Sequence, residues 1–270
     1  MRQVRCALAP AGQGAYVPAV AHSFDFRTPP AREPVFNIPG VVAALVLLMV
    51  GIEFVRAYVL DPDTDLELLA WFAFVPIRYD GGAPYALPGG LGAQVWTFVT
   101  YALLHANWIH VGVNSIWMLA FASPVARRFG TVRFLLFFVV TAVAGAAAHL
   151  LAYPEGISPM IGASAVVSGA MAAAVRFAFA PGGALGPRRS HYADHQPAMP
   201  LSVVLRDRRV LVFIGVFVLL NFLFGAGMAM PGTEGAEVAW QAHLGGFAAG
   251  LLLFPLFDPV PNLRGASPRA

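Results

Sequence analysis

The chain carries very little charge for its length, and it contains no lysine at all. Only 11% of its 270 residues are charged, whereas 58% are hydrophobic, and the mean hydropathy is +0.68. A soluble domain of ordinary composition has about 25% charged residues. The composition therefore excludes that class and predicts an integral membrane protein that crosses the bilayer several times.

Cysteine is almost absent as well, and several familiar enzyme patterns are missing. The single Cys6 excludes an internal disulfide and a cysteine-rich metal site. The chain has no His-Glu-x-x-His run, no aspartate pair in adjacent spans and no phosphate-cradling loop. His191 and His195 are spaced like ligands on a helix, but the surrounding Pro and Gly argue against a helix. We expect no metal there.

The net charge of +3 and the pI of about 9.3 do not indicate a nucleic-acid-binding protein. The basic residues are spread over successive loops rather than along one face. A nucleic-acid site needs them clustered on one surface. We therefore expect no nucleic-acid partner.

Apolar runs near 20 residues mark five spans, and a sixth, shorter run contains serines. The six runs are 41–60, 109–126, 134–153, 161–180, 210–230 and 238–257. Arginines dominate every second connection and both ends, and acidic residues dominate the others, with Arg56 and Arg78 as exceptions. By the positive-inside rule, this alternation predicts six spans with both termini in the cytoplasm.

The same pattern divides the chain into a membrane domain over 37–258 and two cytoplasmic tails, 1–36 and 259–270. The first tail lacks a continuous apolar core, so we expect no cleavable signal peptide in it. The loop 181–209 is rich in Pro, Gly and Arg and is expected to be a flexible cytoplasmic linker. A lysine-free composition rich in Ala, Gly and Arg indicates a GC-rich bacterium and hence its plasma membrane.

The long outer connection, 62–95, contains an aromatic, apolar stretch that is too short to span a membrane. Two interpretations fit this stretch. It lies in the membrane interface, where aromatic side chains are favoured, or it packs on its own protein.

The fourth run has a hydroxyl group, that of Ser164, at the start of an apolar helical stretch next to glycine. Pro159 and Gly162 delay its helix, which we expect to begin near Ser164 and to end near Arg176. Such a helix is about 20 Å long, against a hydrocarbon core of about 30 Å. Ser164 would then lie roughly 10 Å below the outer face, at the bottom of a water-filled recess.

A partner for Ser164 is available at a similar depth on the final run. His243 lies about 7 to 8 Å into that run, on a face of small residues that includes Gly246. His110 and Asn114 are four residues apart, so they share one face of the second helix near the outer surface.

These residue types suit acyl transfer. A neutral histidine can remove the proton from a serine hydroxyl, and a helix N-terminus with His and Asn side chains can stabilise an oxyanion. No carboxylate occurs near these positions within the fourth and sixth runs, so the candidates form a dyad of Ser164 and His243. The alternative is that Ser164 only bonds to its own helix and His243 only packs between helices.

The order of these motifs resembles the rhomboid family of intramembrane serine proteases. The resemblance covers roughly 90–257 and rests on His105, His110 and Asn114, then Gly162-Ala163-Ser164, then Ala242-His243-Leu244-Gly245-Gly246. It implies an all-α bundle of six transmembrane helices in which a short central helix carries the nucleophile.

The resemblance also implies the roles of the residues. Ser164 would be the nucleophile and His243 the general base. His110, Asn114 and the Ser164 N–H would form the oxyanion site, with His105, Gly162 and Gly246 as structural support. The substrates would be single-span or other membrane proteins in the lipid bilayer, and no metal or organic cofactor would be needed.

Three positions depart from the family pattern. Ala165 stands where a glycine commonly follows the nucleophile, and Ser168 stands where an aromatic residue often faces the catalytic histidine. Trp96-Thr97 replaces a Trp-Arg pair. Because the dyad is retained, the resemblance favours a protease over a catalytically silent binding or quality-control factor of the same fold. A transporter is disfavoured because no internal repeat is visible.

Overall fold

The structure is a computed structural model that describes residues 37–82, 86–190, 192–227 and 238–260. Within these ranges it contains helices and turns but no strand, and its nearest approach to a sheet is one bridge between Phe74 and Met160. The prediction of an all-α membrane protein is confirmed. The tail 1–36, most of the tail 259–270 and His191 lie outside the described residues.

Eleven α-helices occur in the described part of the chain. They are α1 (Gly40–Tyr58), α2 (Pro62–Phe72), α3 (Gly90–Thr100), α4 (Trp108–Trp117), α5 (Ser123–Phe129), α6 (Thr131–Ala152), α7 (Ser164–Ala178), α8 (Leu201–Val204), α9 (Arg208–Gly225), α10 (Trp240–Leu252) and α11 (Phe254–Phe257). Short 3₁₀ turns occupy Pro76–Tyr79, Tyr101–Leu103 and Ala193–His195.

Four described helices are long and apolar enough to cross a membrane. They are Gly40–Tyr58, Trp108–Phe129, Thr131–Ala152 and Arg208–Gly225. The helices α7 and α10, with 15 and 13 residues, are about 22 and 20 Å long and thus shorter than a bilayer core. The count of six spans stays a prediction.

The second span is not a uniform α-helix. A π-helical segment, Met118–Ala122, lies between α4 and α5. Pro124 lies two residues after its end, and a proline cannot donate the backbone hydrogen bond that would continue a regular helix. The π segment accommodates this interruption within one continuous apolar helix.

The last span was expected to be continuous over 238–257, but it breaks at Leu253, between α10 and α11. Pro255 has no N–H to donate to the carbonyl of Leu251, four residues earlier. Arg176 of α7 uses that free carbonyl instead, with its Nη1 donating to Leu251 O at 3.0 Å. The break in one helix thus becomes an attachment point for another.

The helix α7 forms the centre of the bundle, with twelve of its fifteen residues buried. It packs against α10 so closely that glycine is needed at the crossing. A Cβ at Gly246 would collide with the backbone carbonyl of Ala165, and a Cβ at Gly250 with that of Gly169. Close approach through small residues is the usual way in which membrane helices associate.

The outer connection packs on the protein at its apolar part. Residues 73–77 are buried, while none of the residues of α2 is. Phe74 and Met160 exchange backbone hydrogen bonds of 3.1 and 2.8 Å, and Ile77 N donates to Gly156 O at 2.9 Å. These bonds tie the connection to the segment that leads into α7.

The opposite end of the bundle is held by Arg128, whose side chain is fully buried. It forms a bidentate pair with Asp258 at 2.8 and 2.9 Å and donates to the carbonyls of Asp194 and Gln196 at 2.9 and 2.7 Å. A buried guanidinium is tolerated only when its donors are matched in this way. The loop 181–209, expected to be a flexible linker, is therefore partly packed onto the helices, with Val204 fully buried.

We expect Gly250→Ala to destabilise the fold, because the added methyl would overlap the Gly169 carbonyl. Overpacking of this kind typically costs about 1–3 kcal/mol. The matched control is Gly215→Ala on α9, where nothing lies within 4 Å of the new methyl; it should be neutral or slightly stabilising. Thermal unfolding in detergent, followed by circular dichroism, would measure both. Equal midpoints for the two variants would contradict the close crossing of α7 and α10.

Candidate active site

Ser164 is the first residue of α7, as the sequence predicted for the helix start. The turn before it is shaped by Gly162, whose φ of 119° is a conformation that other residues rarely adopt. The Gly162 N–H donates to the carbonyl of Tyr101 at 3.0 Å, and the Tyr101 hydroxyl donates to Ala142 O at 2.9 Å. The start of the helix is therefore anchored to both α3 and α6 through one tyrosine.

The imidazole of His243 meets the hydroxyl of Ser164. His243 is the fourth residue of α10, and its Nε2 lies 2.7 Å from Ser164 Oγ. The contact depends on the crossing of α7 and α10, because Gly246, one turn beyond His243, lies against the backbone of Ala165. Both residues are partly exposed. The water-filled recess expected above Ser164 stays a prediction.

A third polar side chain, which the sequence analysis missed, completes this arrangement. Asn221 of α9 is 7% exposed, and its Oδ1 lies 2.6 Å from His243 Nδ1. Asn221 lies in the fifth run, whereas the predicted site residues lie in or beside the second, fourth and sixth runs. The signal was present: Asn221 is the single polar side chain between Val210 and Gly225, and a polar group inside an apolar span indicates a functional or structural partner.

His110 and Asn114 lie beside the turn that precedes Ser164. A Cβ built on Gly162 would be 2.8 Å from Cε1 and Nε2 of His110 and 3.8 Å from Nδ2 of Asn114. The amide of Asn114 donates one proton to His110 O at 3.1 Å, which leaves its second proton free. The structure thus brings both predicted donors to the position of Gly162, two residues before Ser164.

The hydrogen bonds of His110 determine which of its nitrogens is a donor. The backbone N–H of Ala106 donates to His110 Nδ1 at 3.3 Å, so Nδ1 is unprotonated in this arrangement. In a neutral imidazole the proton is then on Nε2, the atom beside Gly162. The side chain of Asn107 caps the same turn by accepting from His110 N at 3.0 Å.

His105 lies behind these groups and is only 1% exposed. Its ring makes an edge contact with His110 at a centroid distance of 5.0 Å, and its Nε2 is 3.5 Å from the N–H of Ala163. The guanidinium of Arg56 donates to the carbonyl of His105 and also pairs with Asp65. This contact of Arg56 was not predicted from the sequence.

The three departures from the family pattern all occur at packed positions. Ala165 and Ser168 are buried in α7. Thr97 is fully buried, and its Oγ1 donates to Ala93 O at 2.6 Å and lies 3.0 Å from the hydroxyl of Tyr79. Trp96 donates from Nε1 to Trp71 O at 2.9 Å, which links α3 to the outer connection.

The arrangement has the parts needed for nucleophilic attack on a carbonyl. Among the described residues, the hydrogen-bond partners of the His243 ring are Ser164 and Asn221, and neither is a carboxylate. A nucleophile with an adjacent base, beside unpaired donors at a helix N-terminus, is the usual signature of acyl transfer.

Comparison with known proteins gives consistent matches. The Rhomboid domain family matches residues 92–258, which is more than half of the chain. The chain is 29% identical over 175 residues to Rhomboid-like protease 3 of Toxoplasma gondii, covering 64% of this chain and 55% of that protein. It is 23% identical over 161 residues to Rhomboid protease GlpG of Haemophilus influenzae, covering 59% of this chain and 68% of that protein.

A third relative is Rhomboid-related protein 3 of Homo sapiens, at 35% identity over 74 residues, covering 27% of this chain and 18% of that protein. The chain therefore spans about half the length of the first of these relatives and less of the human one. The family match covers α3 to α11 and includes Ser164 and His243. On this match, the chain is an integral membrane protein that belongs to the rhomboid family.

Proposed function

We propose that the protein is an intramembrane serine endopeptidase, which hydrolyses peptide bonds in or near the transmembrane helices of other membrane proteins. The observation that carries the proposal is the 2.7 Å approach of His243 Nε2 to Ser164 Oγ at the start of a short, buried helix. The names of two relatives, both called proteases, support the same reaction class.

In the first step, His243 Nε2 takes the proton of the Ser164 hydroxyl while Oγ attacks the scissile carbonyl carbon. The negative charge that forms on the carbonyl oxygen is stabilised by the Ser164 N–H, His110 Nε2–H and the free proton of Asn114 Nδ2. Such preorganised donors are worth most where water is excluded. His243 then gives its proton to the leaving amine, and an acyl ester on Ser164 remains.

In the second step, a water molecule attacks this ester. His243 removes a proton from the water and returns a proton to Ser164 Oγ, which releases the new carboxyl terminus. The water is proposed to arrive from the outer face through the recess above Ser164. Neither step uses a metal or an organic cofactor.

The substrates in this proposal are single-span or other membrane proteins in the same bilayer. A substrate helix with small or helix-destabilising residues would unwind between the spans, since a regular helix hides the peptide carbonyls in its own hydrogen bonds. We further propose that the core is 37–258, that both termini face the cytoplasm and that the membrane is a bacterial plasma membrane.

The dyad is tested by a fluorophosphonate probe, which reacts with an activated serine. We expect wild-type protein to be labelled at Ser164, and His243→Ala to lose this labelling because no base then removes the hydroxyl proton. In parallel, Ser164→Ala should abolish cleavage of single-span substrates in reconstituted vesicles. Equal cleavage by wild type and Ser164→Ala would end the protease proposal, and an unreactive Ser164 in folded protein would favour a silent membrane-protein binding factor.

The oxyanion donors are tested by His110→Ala and Asn114→Ala. Loss of one donor typically lowers kcat by about 10²–10³-fold, and we expect a loss of this order with little change in KM, since the contact forms mainly in the transition state. The matched control is Ser115→Ala. Ser115 lies next to Asn114 on α4, and its buried hydroxyl has no hydrogen-bond partner among the described residues. A kcat for Asn114→Ala equal to that of the control would contradict the role.

The turn before the nucleophile is tested by Gly162→Ala. The new methyl would press on the His110 ring at 2.8 Å and would also strain the backbone, so kcat should fall through displacement of the donor. Gly227→Ala separates the two effects, because Gly227 also has a positive φ, 89°, but no atom of the described residues lies within 4 Å of the added methyl. The control should lose stability and keep its kcat. Steady-state cleavage and thermal unfolding measured on both variants give the comparison.

A further inference from the structure

Asn221 is a buried polar group in an otherwise apolar stretch of helix, and its surroundings define what it does. It is 7% exposed on α9, where Val210 and Phe217 are the other buried residues. A buried amide is costly unless its hydrogen bonds are made. Both ends of this amide have partners, Phe217 O and His243 Nδ1.

The bond to Phe217 fixes the orientation of the amide. Asn221 Nδ2 donates to the carbonyl of Phe217, one turn earlier on the same helix, at 2.8 Å. A flipped amide would place Oδ1 against that carbonyl oxygen, with two acceptors facing each other and no proton between them. The amide oxygen therefore points toward the imidazole of His243.

The orientation of the amide in turn fixes the tautomer of His243. Oδ1 of a side-chain amide accepts hydrogen bonds and cannot donate them, so the proton between Oδ1 and Nδ1, 2.6 Å apart, belongs to the ring. A neutral imidazole that is protonated at Nδ1 has its lone pair on Nε2. Nε2 is the atom that lies 2.7 Å from Ser164 Oγ.

We propose that Asn221 is a positioning residue that holds His243 in its Nδ1-protonated tautomer, with Nε2 ready to accept the proton of Ser164. The inference rests on the proposed function. When Nε2 takes the Ser164 proton, the ring becomes a cation with both nitrogens protonated, and Nδ1–H continues to donate to Asn221. No proton passes to the amide, which acts by orienting the ring and by stabilising the cation through one hydrogen bond.

Packing alone does not account for an asparagine at this position. The apolar contact between α9 and α10 is made by Phe217, which stacks on Phe247 at a centroid distance of 4.6 Å. A leucine at position 221 has the same number of side-chain heavy atoms and suits an apolar helix, so a purely structural role would survive Asn221→Leu. An acceptor for His243 would not.

The test compares Asn221→Leu, which removes the acceptor, with Asn221→Asp, which keeps one in the same place. For Asn221→Leu we expect kcat to fall by about 10- to 100-fold, the range typical of a lost hydrogen bond to a charged group, with KM within about twofold of wild type. Ser164 labelling by the fluorophosphonate should slow in parallel. Leu220→Ala, at the neighbouring exposed position of α9, serves as the control for changes in that helix and should react normally.

For Asn221→Asp we expect cleavage to be retained and the acid limb of the kcat/KM profile to move to higher pH. A carboxylate opposite Nδ1 stabilises the ring cation, so a higher pH is needed to free Nε2. The other groups that face the ring are Ser164 from α7 and the titratable His110 from α4, and both variants leave them unchanged.

The outcomes separate this inference from the proposed function. A wild-type protein that cleaves through Ser164, beside a folded Asn221→Leu variant with the same kcat, would overturn the role of Asn221 alone. If Asn221→Leu does not fold, an acid limb unmoved in Asn221→Asp would overturn it equally. A wild-type protein in which Ser164 neither labels nor is needed for cleavage would overturn both proposals.

Discussion

The close crossing of α7 and α10 is the constraint on which the site depends. Gly246 and Gly250 allow the backbone of α10 to lie against Ala165 and Gly169, with no side chain between. A serine hydroxyl and an imidazole on separate helices can meet at 2.7 Å only if the axes come this near. The helix α7 also approaches α6 closely, because a Cβ at Gly169 would lie 2.5 Å from Cγ2 of Thr141. In a membrane the hydrophobic effect does not drive two helices together, because lipid is as apolar as their side chains. Close packing through small residues stabilises their association instead.

A second constraint is that polar groups in an apolar bundle must satisfy one another. Three hydrogen bonds follow one another here. They link Ser164 to His243, His243 to Asn221, and Asn221 to the backbone carbonyl of Phe217 in α9. At the other end of the bundle, Arg128 makes four hydrogen bonds, two to the carboxylate of Asp258 and one each to the carbonyls of Asp194 and Gln196. Such fully matched networks fix single arrangements, since each alternative leaves a buried group unpaired. The polar groups around Arg128 and those around His243 are therefore arranged by the same requirement, that buried polar atoms have hydrogen-bond partners.

Much of the fold and several candidate positions could be read from the sequence, and the failures have physical causes. Glycine and proline before Ser164 and the lack of charge in the following run were enough to locate the start of α7, because backbone rules there are local. The break in the last span was not foreseen, although Pro255 was visible, because the free Leu251 carbonyl has its partner on α7. Asn221 was missed for a similar reason. The role of this side chain depends on the atom that it contacts in another helix, His243 Nδ1. The periodicity of residues along a single helix does not reveal such a contact.

In the proposed mechanism, the first turns of two short helices, α7 and α10, carry the nucleophile and the base. Ser164 opens α7, so its backbone N–H has no acceptor within its own helix, whereas His243 lies in the first turn of α10 and its N–H donates to the carbonyl of Ala239 at 3.4 Å. A full-length span would place those unpaired donors in the interface, far from any peptide bond inside the membrane. Helices of about 20 Å in a core of about 30 Å cannot have both ends at the surface, so at least one end must lie at depth. The proposed mechanism needs oxyanion donors and water at that depth, and irregular backbone inside a membrane is tolerated where it is buried in protein or lines a water-filled cavity.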